Sequence, residues 1–290
     1  MISLGIYEKA LPKKATWEET LRQVTQLGFN FYEFSIDESD ERLARLDWSL
    51  SEAKQLADAM RQTKVPIYTL MLSGHRRYPL GSKDPAVRQK ALEMMQKAVD
   101  LASYLGIRNI QMAGYDVFYE PKTALSHAYY LENLQKCVDM AAQKQVILAI
   151  ETMDDSFINS LDKIAQIKET IKSPWLQAYP DFGNLSAWPQ NDVVTQLRTH
   201  FEQIVAVHLK DTLAVTPDFA GKFKDVDFGR GCVDFEGCLK TMADLGYHGT
   251  YTIEMWSQTQ PDALTKVTEA KSYFDDLFKK VGITQAPVGG

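Results

Sequence analysis

The amino-acid sequence predicts a single α/β domain, a (β/α)8 barrel, and three observations carry that prediction. Short apolar runs alternate with longer stretches of helical period eight times along the 290 residues, the pattern that builds a parallel sheet with helices packed outside it. Four later runs give way abruptly to polar chemistry: Val146–Ile150 at Glu151, Trp175–Tyr179 just before Asp181, Ile204–Val207 at His208 and Thr250–Ile253 at Glu254. Parallel barrels place their active sites at such C-terminal strand ends. No G-x-G-x-x-G follows the first strand, which argues against the rival doubly wound sheet. No composition break marks a linker, so the barrel is expected over residues 2–281, followed by a tail at 282–290.

In chain order, Ile2–Glu8 is the first strand. Trp17–Leu27 is its helix, with Leu21, Val24 and Leu27 on one face and Gly28 as the stop. Phe31–Ile36 is the second strand, running into the acidic stretch Asp37–Glu41, and Ser51–Thr63 is the second helix. Val65–Leu72 is the third strand, since a proline (Pro66) is tolerated near a strand start. Asp84 and Pro85 open a long amphipathic helix to Leu105, stopped by Gly106. Arg108–Met112 is strand four and Leu125–Lys144 the next helix. Strand five is Val146–Glu151, with a helix over Leu161–Ile171. Strand six is Trp175–Asp181, and Asn191–His200 is a short helix. The seventh strand starts at Ile204, and its helix, Asp234–Leu245, ends at Gly246. Thr250–Glu254 is strand eight and Asp262–Phe278 the closing helix. The last residues, Gln285–Gly290, are expected to fray.

Composition narrows the function classes. The chain is 45% hydrophobic and 24% charged, ordinary for a globular protein with a large core. A net charge of −6 argues against a nucleic-acid partner, whose phosphates must be neutralised over a wide surface. No apolar run is long enough to span a bilayer, and the N-terminus lacks the basic and apolar regions of a signal peptide. Cys137, Cys232 and Cys238 form no C-x-x-C pair and no even set. The expectation is reduced thiols in a cytoplasmic protein.

Glu151, Asp181, His208 and Glu254 form a mixed oxygen and nitrogen ligand set for one divalent ion, Mn²⁺, Zn²⁺, Mg²⁺ or Co²⁺. The absence of cysteine from the set argues against a closed structural zinc. One such residue alone serves equally well to cap a helix or pair with a lysine; four at successive strand ends point to a site. A metal that chelates a ketone oxygen and the neighbouring hydroxyl acidifies the intervening C–H through an enediolate. With Glu151 and Glu254 as the catalytic pair, one removes that proton and the other returns one on the opposite face, giving epimerisation. A single base shuttling between C1 and C2 gives aldose–ketose isomerisation instead.

The loop Ser73–Tyr78 is the most conspicuous basic cluster, and His75, Arg76 and Arg77 are candidates for a phosphate or sugar-hydroxyl clamp. An arginine pair that only solvates a loop is the alternative. Lys9 would add charge there or simply be solvated. Asn184, three residues past Asp181, reaches a bound hydroxyl or serves turn chemistry. Lys210 stands two residues beyond His208 and is a further substrate-binding candidate. Arg230, between Gly229 and Gly231, meets an anionic substrate or belongs to a plain solvent-facing loop. Trp188 and Trp256 are placed to wall the pocket; Trp17, Trp48, Trp175 and Phe235 are packing residues.

Six segments carry a resemblance: Gly5–Leu11, Ser73–Ser82, Ala113–Val117, Tyr179–Trp188, Val205–Thr212 and Ile253–Ser257. In order, and over nearly the whole chain, they resemble the L-ribulose-5-phosphate 3-epimerases, also called L-xylulose-5-phosphate 3-epimerases and, under an older label, hexulose-6-phosphate isomerases. The resemblance implies a xylose-isomerase-like TIM barrel, a homodimer, and interconversion of L-xylulose 5-phosphate and L-ribulose 5-phosphate in the catabolism of L-ascorbate or related sugars. It also implies that Glu151, Asp181, His208 and Glu254 hold the metal and that the two glutamates are the acid/base pair. Related epimerases of non-phosphorylated ketoses carry histidine where this chain has Asn184. Similar sequences carry an acidic residue between the two glycines that flank Arg230.

Three other functions compete. An aldose–ketose isomerase acting on hexulose 6-phosphate would use the same metal set. An endonuclease IV-like DNA repair enzyme shares the fold but needs a trinuclear site with extra histidines and a basic groove. Here His127, His200 and His248 fall on helices or late turns, and the charge balance is acidic. A non-catalytic sugar-binding protein would need neither two opposed glutamates nor a metal.

Overall fold

Parity along eight short strands decides which side chains enter the barrel. In the computed structural model, which describes residues 1–289, the strands are β1 (Ser3–Tyr7), β2 (Phe31–Ile36), β3 (Ile67–Leu72), β4 (Asn109–Ala113), β5 (Ile147–Glu151), β6 (Leu176–Tyr179), β7 (Ala206–Leu209) and β8 (Thr250–Ile253). Successive side chains on a strand face opposite ways. Leu148 and Ile150 of β5, Val207 and Leu209 of β7, and Tyr251 and Ile253 of β8 join the large apolar core shared with the helices. The alternate set points to the barrel axis, where Ala149, Tyr179 and Ala206 form a small separate cluster. Glu151, Asp181, His208 and Glu254 continue that inner set.

All pairings are parallel, in the order β6-β5-β4-β3-β2-β1-β8-β7. The circle closes between β6 and β7 through isolated bridges, Ala178 with Ile204 and Asp181 with His208. There the Val205 N–H donates to Ala178 O at 3.2 Å and the His208 N–H to Pro180 O at 3.0 Å. This closure sets Asp181 beside His208.

The helices are α1 (Trp17–Gln26), α2 (Asp40–Leu43), α3 (Leu50–Thr63), α4 (Pro85–Leu105), α5 (Ala124–Gln143), α6 (Leu161–Thr170), α7 (Phe182–Ser186), α8 (Val193–Thr199), α9 (Phe235–Asp244) and α10 (Ala263–Lys280). Their starts are written in the chain. Thr16 with Glu19, and Ser49 with Glu52, form reciprocal capping boxes on α1 and α3. Asp84 caps α4 with Pro85 in its first turn. Each such cap contributes about 1 kcal/mol. No helix among the described residues is long and apolar enough to cross a membrane.

The structure corrects three expectations. The sixth strand ends at Tyr179, because Pro180 has no N–H to donate and Asp181 turns to cap α7. The seventh begins in earnest only at Ala206. The tail does not fray at 285–287. The Ile2 N–H donates to Thr284 O (2.9 Å), the Ala286 N–H to Ile2 O (2.7 Å) and the Asn30 side-chain amide to Ala286 O (3.0 Å), so the segment lies along the start of β1. Gly290 lies outside the described residues.

Candidate metal and catalytic site

Glu151 ends β5, Asp181 follows β6, His208 lies within β7 and Glu254 follows β8. One potential ligand atom from each lies within 4.8 Å of the others, and all four residues are buried. Two oxygens of the set, Asp181 Oδ2 and Glu254 Oε2, are buried without a hydrogen bond. They face the Lys210 ammonium at 2.9 and 3.1 Å, outside hydrogen-bonding geometry. Three carboxylates and one imidazole, converging in a buried cluster, fit a divalent cation by donor type.

The surrounding residues fix these ligands. His208 Nδ1 lies 2.8 Å from Glu151 Oε1 and 3.8 Å from Glu254 Oε2, while Nε2 lies 2.8 Å from Glu33 Oε2. Glu33 is fully buried in β2, and its other oxygen accepts from the Tyr179 hydroxyl at 2.8 Å. The Gln111 side-chain amide donates to Glu151 Oε2. The Asp181 N–H donates to Thr152 Oγ1 (3.0 Å), and Asp181 Oδ1 accepts from the Asn184 N–H (2.7 Å) at the start of α7. Gly183 permits this turn to pack against β7, since a Cβ there would lie 2.5 Å from Lys210 O.

Charges in this enclosed space shift one another. Burial raises Glu151, against the pull of His208, and pushes Asp181 up to about 7 against the pull of Lys210. Burial would also raise Glu254, but the Lys210 and His208 charges outweigh it and bring its carboxyl down to about 2. Burial disfavours imidazolium at His208, yet Glu33, Glu151 and Glu254 together hold it well above the usual histidine range.

The structure separates the sequence candidates. Lys210 belongs to the cluster. Asn184 is buried beside it, but its amide donates to Thr152 O at 2.7 Å, which leaves only its Oδ1 unpartnered. Arg76 lies near the mouth, over the Tyr115 and Phe118 rings at 5.3 Å each. His75 is corrected: it is buried with Nε2 3.2 Å from Ala91 O of α4, a packing position. Arg77 is also corrected, since it points outward to Asp40 Oδ1 at 2.5 Å. Residues 74–76 form a 3-10 turn, whose consecutive side chains fan out about 120° apart, so neighbours in the chain cannot share a target. Arg230 is exposed on its turn and is not brought to the cluster. Lys9 pairs with Asp37. Of the candidate walls, Trp256 lies beside Lys210, 5.5 Å from ring to ammonium, and Trp188 packs on Phe223 at 6.0 Å.

Two residues escaped the sequence reading. Glu33 was concealed as one acid within an apolar strand, although a carboxylate of inward parity was a usable signal. Lys224, in the irregular segment after β7, places its ammonium 5.1 Å from the centre of the Trp256 ring. Partial burial, then the nearby Arg76 charge, holds its ammonium below the usual lysine range. A cavity of about 370 Å³ opens beside Lys210, Glu254 and Trp256. A larger cleft of about 540 Å³, lined by Lys13, Trp17, Arg45 and Gln55, contains none of the four clustered residues.

A family model described as xylose isomerase-like TIM barrel matches residues 21–276. An L-ribulose-5-phosphate 3-epimerase of Shigella boydii serotype 18, UlaE, is 46% identical over 285 residues, 98% of each chain. The protein of the same name from Escherichia coli SE11 matches equally, at 46% over 98% of both chains. Among solved structures, the D-psicose 3-epimerase of Clostridium cellulolyticum H10 superposes with a TM-score of 0.77 at 14% identity, covering 95% of this chain and 99% of that one. This last likeness is one of fold. The chain belongs to the L-ribulose-5-phosphate 3-epimerase family of xylose isomerase-like TIM barrels.

Proposed function

We propose that this protein is a divalent-metal-dependent 3-epimerase that interconverts L-xylulose 5-phosphate and L-ribulose 5-phosphate, in the breakdown of L-ascorbate or related sugars. The observation that carries the reading is the buried convergence of Glu151, Asp181, His208 and Glu254 in a chain of this family. These four residues hold the metal, with Mn²⁺, Zn²⁺, Mg²⁺ and Co²⁺ as the candidates. A cation held there would supply Lewis acidity to the ketose, making the proton at C3 easier to remove. Glu151 and Glu254 enter from separate strands; one takes the C3 proton and the other returns one to the opposite face, inverting C3. Glu33 engages His208 Nε2 and leaves Nδ1 directed at the ligand cluster. Lys210 keeps Glu254 ionised, and Trp256 shields the reacting carbons from water. Arg76 and the Asn184 carbonyl oxygen are the remaining substrate contacts. A homodimer and the absence of a nucleic-acid partner are part of the same reading, supported by family membership and by the acidic balance of the chain.

Metal removal tests the proposal. Dialysis against a chelator should abolish conversion of L-xylulose 5-phosphate to L-ribulose 5-phosphate, and one of the four cations should restore it. Undiminished conversion by metal-free protein, verified by elemental analysis, would overturn the metal's role. Conversion to an aldose would favour the isomerase reading. Affinity for the cation should also rise with pH, because Glu151, Asp181 and His208 must lose protons to bind it.

A further inference from the structure

The barrel is joined least continuously where two of its four clustered residues meet. Between β6 and β7 the strand pairing among the described residues consists of isolated bridges, Ala178 with Ile204 and Asp181 with His208. Every other neighbouring pair shares a ladder of several residues. Tyr179 ends β6 inside this seam. It is fully buried and clusters with Ala149 and Ala206 on the axis. Its ring centre lies 4.6 Å from that of His208, at an interplanar angle of 59°. Its hydroxyl crosses the axis to β2 and donates to Glu33 Oε1 at 2.8 Å. One side chain thus touches both the imidazole and the carboxylate that engages it.

Glu33 is fully buried, and no lysine or arginine among the described residues pairs with it. Its two oxygens are divided between the Tyr179 hydroxyl and His208 Nε2, each at 2.8 Å. A carboxylate only accepts, so the ring nitrogen that it faces keeps its proton. Nδ1, 2.8 Å from Glu151 Oε1, is then the nitrogen left to ligate a cation. A glutamate side chain turns about several bonds, and the anchoring of Oε1 by Tyr179 is what keeps Oε2 aligned with Nε2. Thr252 Oγ1 lies 3.3 Å from the same hydroxyl. Thr252 is itself in register with His208 across β7 and β8, which confines the tyrosine from the other side.

We propose that Tyr179 is a positioning residue for the metal site: acting through Glu33, it sets His208 to bind a divalent cation through Nδ1. This rests on the metal site of the proposed function and extends it to a residue that acts one step behind Glu33. A ligand held in its binding orientation beforehand loses less freedom when the cation arrives. His208 stands at the sparsely bridged seam, so side-chain contacts supply the fixity that a continuous ladder gives elsewhere. Phenylalanine at 179 would keep the ring against His208 and remove only the hydroxyl, opening the chain from Tyr179 through Glu33 to His208 at its far end.

The test measures Zn²⁺ affinity, without substrate, by competition with a chromophoric chelator in wild type, Y179F, E33Q and the double variant. Y179F should bind Zn²⁺ at least ~10-fold more weakly than wild type. Because the two residues act in series, Y179F/E33Q should match E33Q to within about twofold, whereas independent effects would multiply. Nitrogen-15 spectra of the Zn²⁺-loaded wild type should show His208 bound through Nδ1 with its proton on Nε2. Wild-type affinity in Y179F, multiplied losses in the double variant, or ligation through Nε2 would each overturn the proposal. If the unpaired carboxylate keeps Y179F from folding, the comparison of the double variant, which lacks that charge, with E33Q decides. A wild type that binds Zn²⁺ but converts no ketose phosphate would fail the epimerase reading and leave this inference standing.

Discussion

His208 lies between carboxylates on both edges of its ring, and that arrangement assigns work to a residue remote from any substrate. With Nε2 engaged by Glu33 at 2.8 Å, the ring is fixed in orientation and its Nδ1 faces the other ligands. Replacing Glu33 by glutamine keeps the volume and removes the charge. Cation affinity should then fall about 10–100-fold in competition with a chromophoric chelator, while the unfolding midpoint of the metal-free protein stays close to wild type. Unchanged affinity would remove Glu33 from the site. The four ligands were legible because each follows an apolar run at the inward parity of its strand. Glu33 shares that inward parity, but its role depends on a partner 175 residues away, and no local pattern announces a pairing across the barrel axis. Lys224 was hidden for a different reason: an irregular loop has no period from which a direction can be inferred.

At the scale of elements, the basic loop after β3 shows how a cluster in sequence disperses in space. Its 3-10 turn sends His75 into α4, Arg76 toward the mouth and Arg77 to solvent. The buried His75 has a measurable consequence. Burial lowers its imidazole to about 4, while the unfolded chain keeps a value near ~6.5. The unfolded state therefore takes up the proton first as pH falls. Stability is fully present above ~6.5 and is lost progressively between ~6.5 and about 4, by about 2 kcal/mol from pH 7 to pH 5. Urea unfolding at those two pH values should show H75Q losing less stability than wild type by about that amount. Equal losses would contradict a neutral, buried His75. The eight strands and the long helices were legible from period and caps. The five-residue α7 was not, since its start depends on Asp181 capping a turn that only the closed barrel creates.

Over the whole molecule, closure does what no single element can. The β6–β7 bridges place Asp181 beside His208, and the tail at 284–286 lies along Ile2 at the opposite end of β1. The alternating strand–helix order made the barrel readable, but the tail's contacts depend on a strand start more than 280 residues away in the chain, and its Gly/Pro-containing composition alone suggested fraying. The central claim is that the site at the strand ends inverts C3 by exchanging its proton. Proton NMR of L-xylulose 5-phosphate in D₂O with the metal-loaded enzyme tests it most directly, with E151Q and E254Q in parallel. Wild type should lose the C3 proton signal as deuterium enters and L-ribulose 5-phosphate forms, and each variant should be slower in turnover by at least ~100-fold. Deuterium confined to C1 or C2, or near-normal epimerisation by either variant, would contradict it.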